Sequence, residues 1–475
     1  MDNRLVLTTL LLPVGLQAIL PASLQAAKAD RKPDIVLLLA DDWGFPHAAV
    51  YGDRTVKTPT FDYIISRGVL FTNAYCAAPS SSPSRAAILT GRYPHELGEA
   101  GNLQTRWPVA LKVYPDALER AGYLTALEGK GWGPGDYEYY GRKFNPAGRP
   151  CDKIADFIRT APADKPLCLW FGSHHPHRPY VDGIGKQNGI DPDQVRVSPN
   201  LPDEAAVRGD MADYYYNVQV FDSQCKEIVD ALQQTGRLEN TLLVITGDNG
   251  YPFPRAKANL YDEGSHIPLA IMWPGHVKRP YTFNGFVNLM ELAATFYEAA
   301  GVKPDTVVRG RSLVPVIEGR ERESARGEVM LERERHANVR AGNVGYPSRA
   351  IKTKDYLYIH NLRSERWPAG DPVYKSRLAP YGDCDNGPAK SFLVANGEKY
   401  PELFSRAFGM RPAEELYDLK KDPAQQHNLA ADPACGATLD KLREQVDKWM
   451  SSTGDPRAAD PATNIFDTYF YTGRD

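Results

Sequence analysis

The chain contains few cysteines, and their spacing matches no cysteine-ligated site. The six cysteines in 475 residues include no CxxC pair and no zinc-ligand spacing: Cys76, Cys151, Cys168, Cys225, Cys384 and Cys435. The sequence therefore gives no support for a structural zinc centre. If the chain is exported, Cys384 and Cys435 could form a disulfide, but free thiols are equally consistent with such scattered positions.

The sequence also lacks an excess of positive charge. Its 56 Lys and Arg residues face 59 Asp and Glu residues, which gives a formal net charge of −3 at pH 7. Nucleic-acid-binding proteins usually carry a basic excess, so no nucleic-acid partner is expected. An anionic substrate would instead require a local cluster of cationic side chains.

Long apolar runs are confined to the first thirty residues. Arg4 precedes an apolar run over residues 5–20, and small residues follow up to Ala29. This layout is typical of a secretory signal peptide, assigned to residues 1–29, and predicts an exported protein. The alternative is a membrane anchor, but Pro13 interrupts the run, which is short for a spanning helix. No stable membrane insertion is expected.

Patterns typical of buried strands alternate with helical patterns along the rest of the chain. Three aliphatic runs, Ile35–Ala40, Leu167–Phe171 and Leu242–Thr246, are typical of strands buried on both faces. Helices are predicted between them, for example over Val113–Ala121 and Met211–Thr235. The expected fold is α/β, with a large mixed sheet sandwiched by helices.

The pattern changes in the C-terminal third of the chain. Tyr356–His360 alternates as a half-exposed strand does, residues 363–401 are rich in loop formers, and a helix is predicted over Ala437–Met450. At 475 residues the chain is long enough for one large domain and a smaller one. We expect a large domain over residues 30–344 and a smaller α+β subdomain with a small antiparallel sheet over residues 345–475.

Polar side chains follow each of the three predicted buried strands. Asp41 and Asp42 follow the first, His174 follows the second, and Asp248 and Asn249 follow the third. Ligands of open α/β sheets bind beyond the carboxyl ends of the strands, and adjacent carboxylates repel each other unless a cation holds them. This all-oxygen set predicts a calcium or magnesium site and not a zinc site. Considered separately, Asp41 and Asp42 could also be a pair of helix-capping acids, and Asp248 and Asn249 could be part of an Asn-Gly turn.

The segment Ser80–Gly91 combines helix signals with groups that could bind an anion. Ser82 is a good N-cap before a proline, and Gly91 is a natural C-terminal stop. Ser81 would then lie just before a short helix, where free backbone N–H groups favour an anion. Arg85, one turn into the helix, could point back towards that anion. On these signals alone, a capped helix after a serine-rich loop is the simpler interpretation.

The full pattern Ser-x-Pro-Ser-Arg-x-x-x-Leu-Thr-Gly over Ser81–Gly91 resembles the signature of type I, formylglycine-dependent sulfatases. In that family the first residue, cysteine or serine, is converted to formylglycine, so the resemblance implies an aldehyde made from Ser81. Leu39–Gly44, Gly129–Lys130 and Asp248–Asn249 resemble further family motifs in the same order. The resemblance covers residues 33–430 and implies an alkaline phosphatase-like fold with a sulfatase catalytic domain over residues 30–344.

The resemblance also implies a role for each candidate residue. The implied metal ligands are Asp41, Asp42, Ser81, Asp248 and Asn249. The implied catalytic groups are Ser81, Arg85, Lys130, His174 and Lys257. The cations Arg85, Lys130 and Lys257 would stabilise the negative charge of the sulfate, and His174 would act as an acid or hydrogen-bond donor for the leaving group. His174 could also be a structural core histidine. His336 and Arg349 are candidate substrate contacts, although ordinary salt bridges would explain them equally well.

A hydrated aldehyde explains why these residue types would occur together. A serine that accepted a sulfuryl group would remain a stable ester, whereas the hydrate has a second hydroxyl that can expel the sulfate. A divalent cation, expected to be Ca²⁺ ahead of Mg²⁺, would lower the pKa of the attacking hydroxyl. The serine-type motif implies a radical-type bacterial maturase as a partner, and hence a bacterial enzyme that is periplasmic or secreted.

One position departs from the family pattern. Trp132 stands where the family commonly has a histidine. Either another group takes over the function of that histidine, or the leaving-group side of the pocket has a different shape. Three stretches, Asp248–Pro254, Gly345–Arg349 and Glu415–Leu419, most resemble the heparan N-sulfatase (sulfamidase) branch. The expected substrate is therefore a sulfated saccharide, specifically N-sulfoglucosamine of heparin or heparan sulfate.

Three other functions remain open on the sequence. An O-sulfatase acting on another polysaccharide would keep the chemistry and change the sugar. Phosphodiesterases and phosphonate hydrolases of the same superfamily have similar sites, although a single metal with two lysines favours the less charged sulfate. A non-catalytic glycan-binding relative is supported only by Trp132.

Overall fold

The computed structural model describes residues 31–473, so the predicted signal peptide lies outside the described residues. The chain from Lys32 onward forms one compact unit. Its strands are β1 (Asp34–Ala40), β2 (Val69–Tyr75), β3 (Thr105–Arg106), β4 (Leu124–Gly129), β5 (Gly135–Asp136), β6 (Leu167–Gly172), β7 (Thr241–Gly247), β8 (His266–Met272), β9 (Tyr281–Phe283), β10 (Val287–Asn288), β11 (Glu328–Arg333), β12 (Ser348–Thr353), β13 (Tyr356–Asn361) and β14 (Glu414–Asp418).

The α-helices of the described residues vary from one turn to thirty residues. They are α1 (Pro59–Ser66), α2 (Ser81–Thr90), α3 (Tyr114–Arg120), α4 (Ile154–Thr160), α5 (Ile184–Gln187), α6 (Ala205–Gln234), α7 (Asp262–Ser265), α8 (Glu291–Ala299), α9 (Val314–Ile317), α10 (Pro388–Ala395), α11 (Pro401–Phe408), α12 (Gly436–Thr453) and α13 (Pro456–Ala459). Short 3₁₀ helices cover Ala49–Tyr51, Pro94–Glu96, Gly98–Gly101, Pro192–Gln194, Leu238–Asn240, Glu323–Ala325, Ala341–Asn343, Pro433–Cys435 and Ile465–Thr468. Among residues 31–473, no helix combines the length and the apolar character that crossing a membrane requires.

The large sheet has the strand order β10-β2-β8-β7-β1-β6-β4, and β9 also pairs with β2. Strands β7, β1, β6 and β4 run parallel, whereas β8 runs antiparallel to its neighbours β7 and β2. The predicted mixed sheet is therefore confirmed, with the three aliphatic runs as β1, β6 and β7. Leu39 pairs with Gly172 on one side and Thr246 on the other, so these strands end level with one another.

Helices cover both faces of the large sheet, because β1 has apolar side chains on each face and both sets have to be buried. Ile35, Leu37 and Leu39 belong to a core that includes α2, α3 and α8. The alternate residues of β1, Val36 and Leu38, belong to a second core with α1, α4 and α6. Each fully buried leucine contributes about 1.5–3 kcal/mol to folding. The predicted sandwich of helices around the sheet is confirmed, and the helix predicted over residues 211–235 begins earlier, at Ala205.

A second, antiparallel sheet has the order β11-β12-β13-β14. One of its faces packs Leu357 and Ile359 with Tyr75 at the end of β2, and the other face packs Tyr358 against Trp449 of α12. The small antiparallel sheet predicted for the C-terminal part is therefore present. Its first strand, β11, precedes residue 345, where the predicted subdomain begins; the domain boundary itself stays a prediction.

Two local features refine the predictions. Residues 363–401 are predicted to be rich in loops, and within them lies α10, because Pro388 can start a helix and Leu393 is buried in an apolar cluster. Of the two alternatives for Cys384 and Cys435, the structure shows free thiols and not a disulfide.

Candidate active site

The candidate site lies where β1, β6 and β7 end. The backbone N–H of Asp41 donates to the carbonyl of His175 at 3.0 Å, and that of Asp248 donates to the carbonyl of Ala40 at 3.1 Å. These bonds link the three segments that follow the strands. The structure therefore brings together the side chains that the sequence placed after each strand, as expected for ligands at the carboxyl edge of an α/β sheet.

Three buried carboxylates form the centre of the site. Oxygen atoms of Asp41, Asp42 and Asp248 all lie within 4.8 Å of one another. The amide of Asn249 is adjacent, because its Nδ2 donates to Asp42 Oδ1 at 2.8 Å. Asp42 has a left-handed backbone with φ of 73°, an uncommon conformation that the N–H bond from Asp42 to Asp248 Oδ1 helps to hold.

The charges on and around these three carboxylates favour binding of a divalent cation. Burial raises the pKa of Asp42, and the neighbouring Asp41 carboxylate adds to the rise, although Lys257 opposes both. Burial acts in the same direction on Asp41, but Lys130, His177 and Arg85 outweigh it and hold the pKa of Asp41 well below its usual value. A cation among these oxygens would relieve the repulsion, and an oxygen-only donor set suits calcium or magnesium.

Ser81 lies in contact with this acid cluster. Its Oγ donates to Asp41 Oδ1 at 3.0 Å and lies 3.5 Å from Asn249 Oδ1. Lys130 Nζ donates to Ser81 Oγ at 3.1 Å and to both Asp41 oxygens at 2.7 Å. The hydroxyl predicted to be the nucleophile and the first predicted sulfate-binding lysine are thus within hydrogen-bond distance.

The helix that carries Ser81 starts earlier than predicted. Ser80, with an extended backbone, is the N-cap of α2, and Ser81 is the first helical residue. The prediction of Ser82 as the N-cap is therefore wrong. Pro83 lies in the first turn, where its missing N–H needs no intrahelical partner, so the helix can begin two residues before the proline. Gly91 ends the helix in a left-handed conformation, as predicted.

Two further cations complete the cluster. Arg85 is fully buried; its Nε donates to Asp248 Oδ2 at 2.7 Å and its Nη1 to the carbonyl of Lys130 at 2.6 Å. Arg85 Nη2 is a buried donor without a hydrogen bond in the described part of the chain. Lys257 Nζ donates to Asp42 Oδ2 at 2.8 Å. An anion that entered the site would find these donors preorganised.

Histidines lie at the solvent side of the cluster. His174 is exposed, and partial burial together with Lys130 and Arg85 lowers its pKa against the opposing pull of Asp41. His177, which the sequence did not single out, places Nε2 3.8 Å from Asp42 Oδ2 and is 36% exposed. Its signal was its position in the same histidine-rich segment after β6.

Asp385 is a second residue that sequence reasoning missed. Its Oδ2 accepts a hydrogen bond from Lys257 Nζ at 3.0 Å, and its side chain is 25% exposed. Burial would raise the pKa of Asp385, but Lys257, His177 and His336 outweigh it and lower the pKa. No local pattern marked this residue, because it reaches the site from 128 positions beyond Lys257.

The remaining predicted residues have different surroundings. His336 is buried with Nδ1 2.8 Å from Ser80 Oγ, and burial lowers its pKa to about 4, so it is neutral at pH 7. Arg349 is also buried, but its partners are Asp455 and Glu334, and it makes no hydrogen bond or ion pair with the acid cluster in the described residues.

The Trp132 side chain is buried away from solvent. It is 2% exposed and packs edge-to-face on Trp107 with ring centroids 5.1 Å apart. The indole is therefore part of the apolar core. The exposed or partly exposed titratable side chains beside the acid cluster include those of His174, His177 and Asp385.

Comparison with known proteins identifies relatives over most of the chain. The family model described as Sulfatase matches residues 33–302, and the one described as N-sulphoglucosamine sulphohydrolase, C-terminal, matches residues 253–371. The N-sulphoglucosamine sulphohydrolase of Homo sapiens is 30% identical and covers 91% of this chain and 92% of its own length. An ulvan-active sulfatase of Formosa agariphila is 28% identical and covers 91% of this chain and 82% of its own.

Solved structures share the fold. A protein in complex with its substrate D-glucosamine-2-N,6-O-disulfate has a TM-score of 0.64 and 19% identity, covering 90% of this chain and 100% of the other. The phosphonate monoester hydrolase of Agrobacterium radiobacter has a TM-score of 0.65 and 18% identity, covering 89% and 96%. These similarities confirm the predicted alkaline phosphatase-like α/β fold.

Proposed function

The chain belongs to the sulfatase family and is a sulfate ester or sulfamate hydrolase; on this premise we propose that it removes sulfate from a sulfated glycan. The specific substrate we propose is N-sulfoglucosamine of heparin or heparan sulfate. The observation that carries the proposal is the contact of Ser81 with Asp41 and Lys130 at the edge of the large sheet. This site combines a nucleophile, a cation and an acid cluster.

We propose that Ser81 is converted to formylglycine, whose hydrate supplies two hydroxyls on one carbon. One hydroxyl attacks sulfur and the other later expels the sulfate. A divalent cation held by Asp41, Asp42, Asp248 and Asn249, which we propose to be Ca²⁺, supplies positive charge beside the attacking hydroxyl. Both groups fit the oxygen ligands that surround Ser81.

The chain's own residues bind the sulfate and assist the leaving group. Lys130 and Lys257 flank the acid cluster and can each donate to a sulfate oxygen, while Arg85 Nη2 lies 3.5 Å from Asp41 Oδ1 and makes no hydrogen bond within the described residues. These fixed donors would stabilise charge on the transferring group without rearrangement. His174, at the exposed side, can hold the proton that the leaving atom takes up.

Two relatives support different sugars. The C-terminal family match and the human N-sulphoglucosamine sulphohydrolase support the N-sulfate. The ulvan-active sulfatase supports the second candidate, an O-sulfatase acting on another sulfated polysaccharide. Variable pocket loops decide between such substrates more than the fold does.

The experiment is a measurement of sulfate release by the matured protein with Ca²⁺. The panel would contain N-sulfoglucosamine, N-acetylglucosamine 6-O-sulfate and ulvan oligosaccharides, and mass spectrometry would confirm formylglycine at position 81. Release from the N-sulfated sugar supports the proposal, and release only from an O-sulfated sugar supports the second candidate. No release by fully modified protein would contradict both.

We further propose that the protein is exported and that a radical-type bacterial maturase modifies it. The N-terminal residue of the mature protein would test export, and the modification state of Ser81 would test maturation.

A further inference from the structure

Asp385 lies between the second sulfate-binding lysine and solvent. Its Oδ2 accepts from Lys257 Nζ at 3.0 Å, and a quarter of its side chain is exposed. Its other oxygen, Oδ1, has no hydrogen-bond partner among residues 31–473. One oxygen is thus held in place, while the other is available to a ligand at the entrance of the site.

The loop around Asp385 is held rigid from both sides. Two residues earlier, the buried carboxylate of Asp383 accepts from Arg333 Nη2 at 2.6 Å. On the other side, buried Lys390 donates to Asn386 Oδ1 at 2.8 Å, and it also donates to the carbonyl of Cys384 at 2.8 Å. Because its neighbours are fixed, Asp385 needs little rearrangement to present its free oxygen, and such preorganisation favours binding.

A metal ion does not explain this carboxylate. Ligand atoms of Asp42, His177 and Asp385 lie within 4.8 Å of one another, as they would around a cation. The ammonium of Lys257, however, already lies between the two acids, 2.8 Å from Asp42 and 3.0 Å from Asp385. Its positive charge attracts both carboxylates and occupies the space between them, and Asp385 retains an unused acceptor.

The chemistry of the proposed substrate provides a partner for that acceptor. Hydrolysis of an N-sulfate follows R–NH–SO₃⁻ + H₂O → R–NH₃⁺ + SO₄²⁻: the N–S bond breaks, its electron pair stays on nitrogen, and nitrogen takes up two protons. The nitrogen becomes an ammonium group, whereas an O-sulfate leaves a neutral hydroxyl. An ion pair between an ammonium group and a carboxylate is therefore specific to the N-sulfated sugar, because the hydroxyl left by an O-sulfate carries no charge.

We propose that Asp385 is the amine-recognition site of this enzyme and binds the glucosamine nitrogen through its free oxygen as the N-sulfate leaves. This inference rests on the proposed function and deepens it. Lys257 couples binding of the amine to release of the sulfate, because its ammonium contacts Asp385 and lies where it can bind sulfate. Asp385 thereby determines specificity for a nitrogen, not an oxygen, leaving group.

The first test compares two substrates in the matured, Ca²⁺-loaded full chain. Asp385→Asn should lower kcat/KM for N-sulfoglucosamine about 10- to 100-fold, the range for a lost hydrogen bond to a charged group. Activity on any O-sulfated sugar that the enzyme cleaves should change much less, and Asp385→Glu should partly restore the N-sulfatase activity. Equal losses on both sugars would show that Asp385 only positions Lys257 and would overturn the inference.

The second test requires no turnover. Calorimetry would compare binding of D-glucosamine, a cation, with binding of neutral N-acetylglucosamine. The wild-type protein should prefer glucosamine, Asp385→Asn should lose that preference, and Asp371→Asn, which removes another carboxylate from the same loop region, should keep it. Absence of the preference in the wild-type protein overturns the inference. Absence of sulfate release in the panel, with the preference intact, would instead contradict the proposed function.

Discussion

Two buried clusters of charged side chains differ in their access to solvent. The first is the acid cluster at the sheet edge, Asp41, Asp42 and Asp248, with its cations. The second, here called the Arg349 network, consists of His95, Glu332, Glu334, Arg349, Asp455 and Arg457. In the Arg349 network, Arg349 donates to Asp455 at 2.6 Å and to Glu334 at 2.7 Å, and Arg457 donates to Glu334 at 2.7 Å.

The acid cluster reaches solvent, whereas the Arg349 network is enclosed. The side chains of Lys130 and Asp385 beside the acid cluster are 13% and 25% exposed, but no side chain of the Arg349 network is more than 1% exposed. Burial would lower the pKa of Arg349, but the carboxylates of Asp455, Glu334 and Glu332 outweigh burial and raise it. Charged groups beside solvent can bind a ligand, whereas enclosed charges that pair with one another indicate a structural role.

The largest expected effect is loss of the nucleophile. Ser81→Ala should reduce sulfate release by about 10⁴-fold or more and leave the fold intact, because no other group can form the covalent intermediate. Circular dichroism would check folding. Ser82→Ala is the matched control, since the Ser82 hydroxyl donates to the carbonyl of Pro134 and does not contact the acid cluster. An unchanged rate for Ser81→Ala would contradict the mechanism.

Removal of Arg349 should affect stability and not substrate binding. Arg349→Ala removes the cation that pairs with buried Asp455 and one of the two arginines that pair with buried Glu334, so the free energy of unfolding should fall by about 3–5 kcal/mol. The partly exposed Arg443 also pairs with carboxylates, and Arg443→Ala should cost less than about 1 kcal/mol. Denaturant unfolding gives both values. A rise in KM with unchanged stability would restore Arg349 as a substrate contact and break the comparison.

Calcium should stabilise only through the acid cluster. At a free concentration of about 100 times its Kd, a ligand of the native state adds about 2.7 kcal/mol to the free energy of unfolding. We expect this increase in the wild-type protein and in His95→Gln, and its loss in Asp248→Asn. Thermal unfolding with Ca²⁺ and with a chelator measures it. An equal calcium effect in Asp248→Asn would show that the ion binds elsewhere.

The smallest effect concerns the pH dependence of the Arg349 network. Burial disfavours a charge on His95, but the carboxylates of Glu332 and Asp455 outweigh burial and raise its pKa. A raised folded-state pKa stabilises the protein below the unfolded value of about 6.5 and loses that contribution as pH rises through the folded value. The stability difference between the wild-type protein and His95→Gln should therefore shrink with increasing pH. A difference independent of pH would contradict this assignment.

The sequence alone determined the local features of this protein. The aliphatic runs predicted β1, β6 and β7, and the polar residues after them predicted the acid cluster, because a buried strand and the residue at its end are encoded by neighbouring positions. The serine motif likewise predicted Ser81 just before a short helix and Arg85 one turn into it. The exact start of that helix was not predictable, since Ser80 and Ser82 are both good N-caps.

Only the tertiary structure decided which distant charges meet. Asp385 reaches Lys257 across 128 positions, and Arg349 reaches Asp455 across 106, with no local pattern to mark either contact. Trp132 stands where the family commonly has a histidine, and only the folded chain shows that it packs on Trp107 in the apolar core, where an aromatic side chain buries a large area. Whether a buried charge binds a ligand or a neighbour depends on its compensating charges, which the folded chain assembles from remote segments.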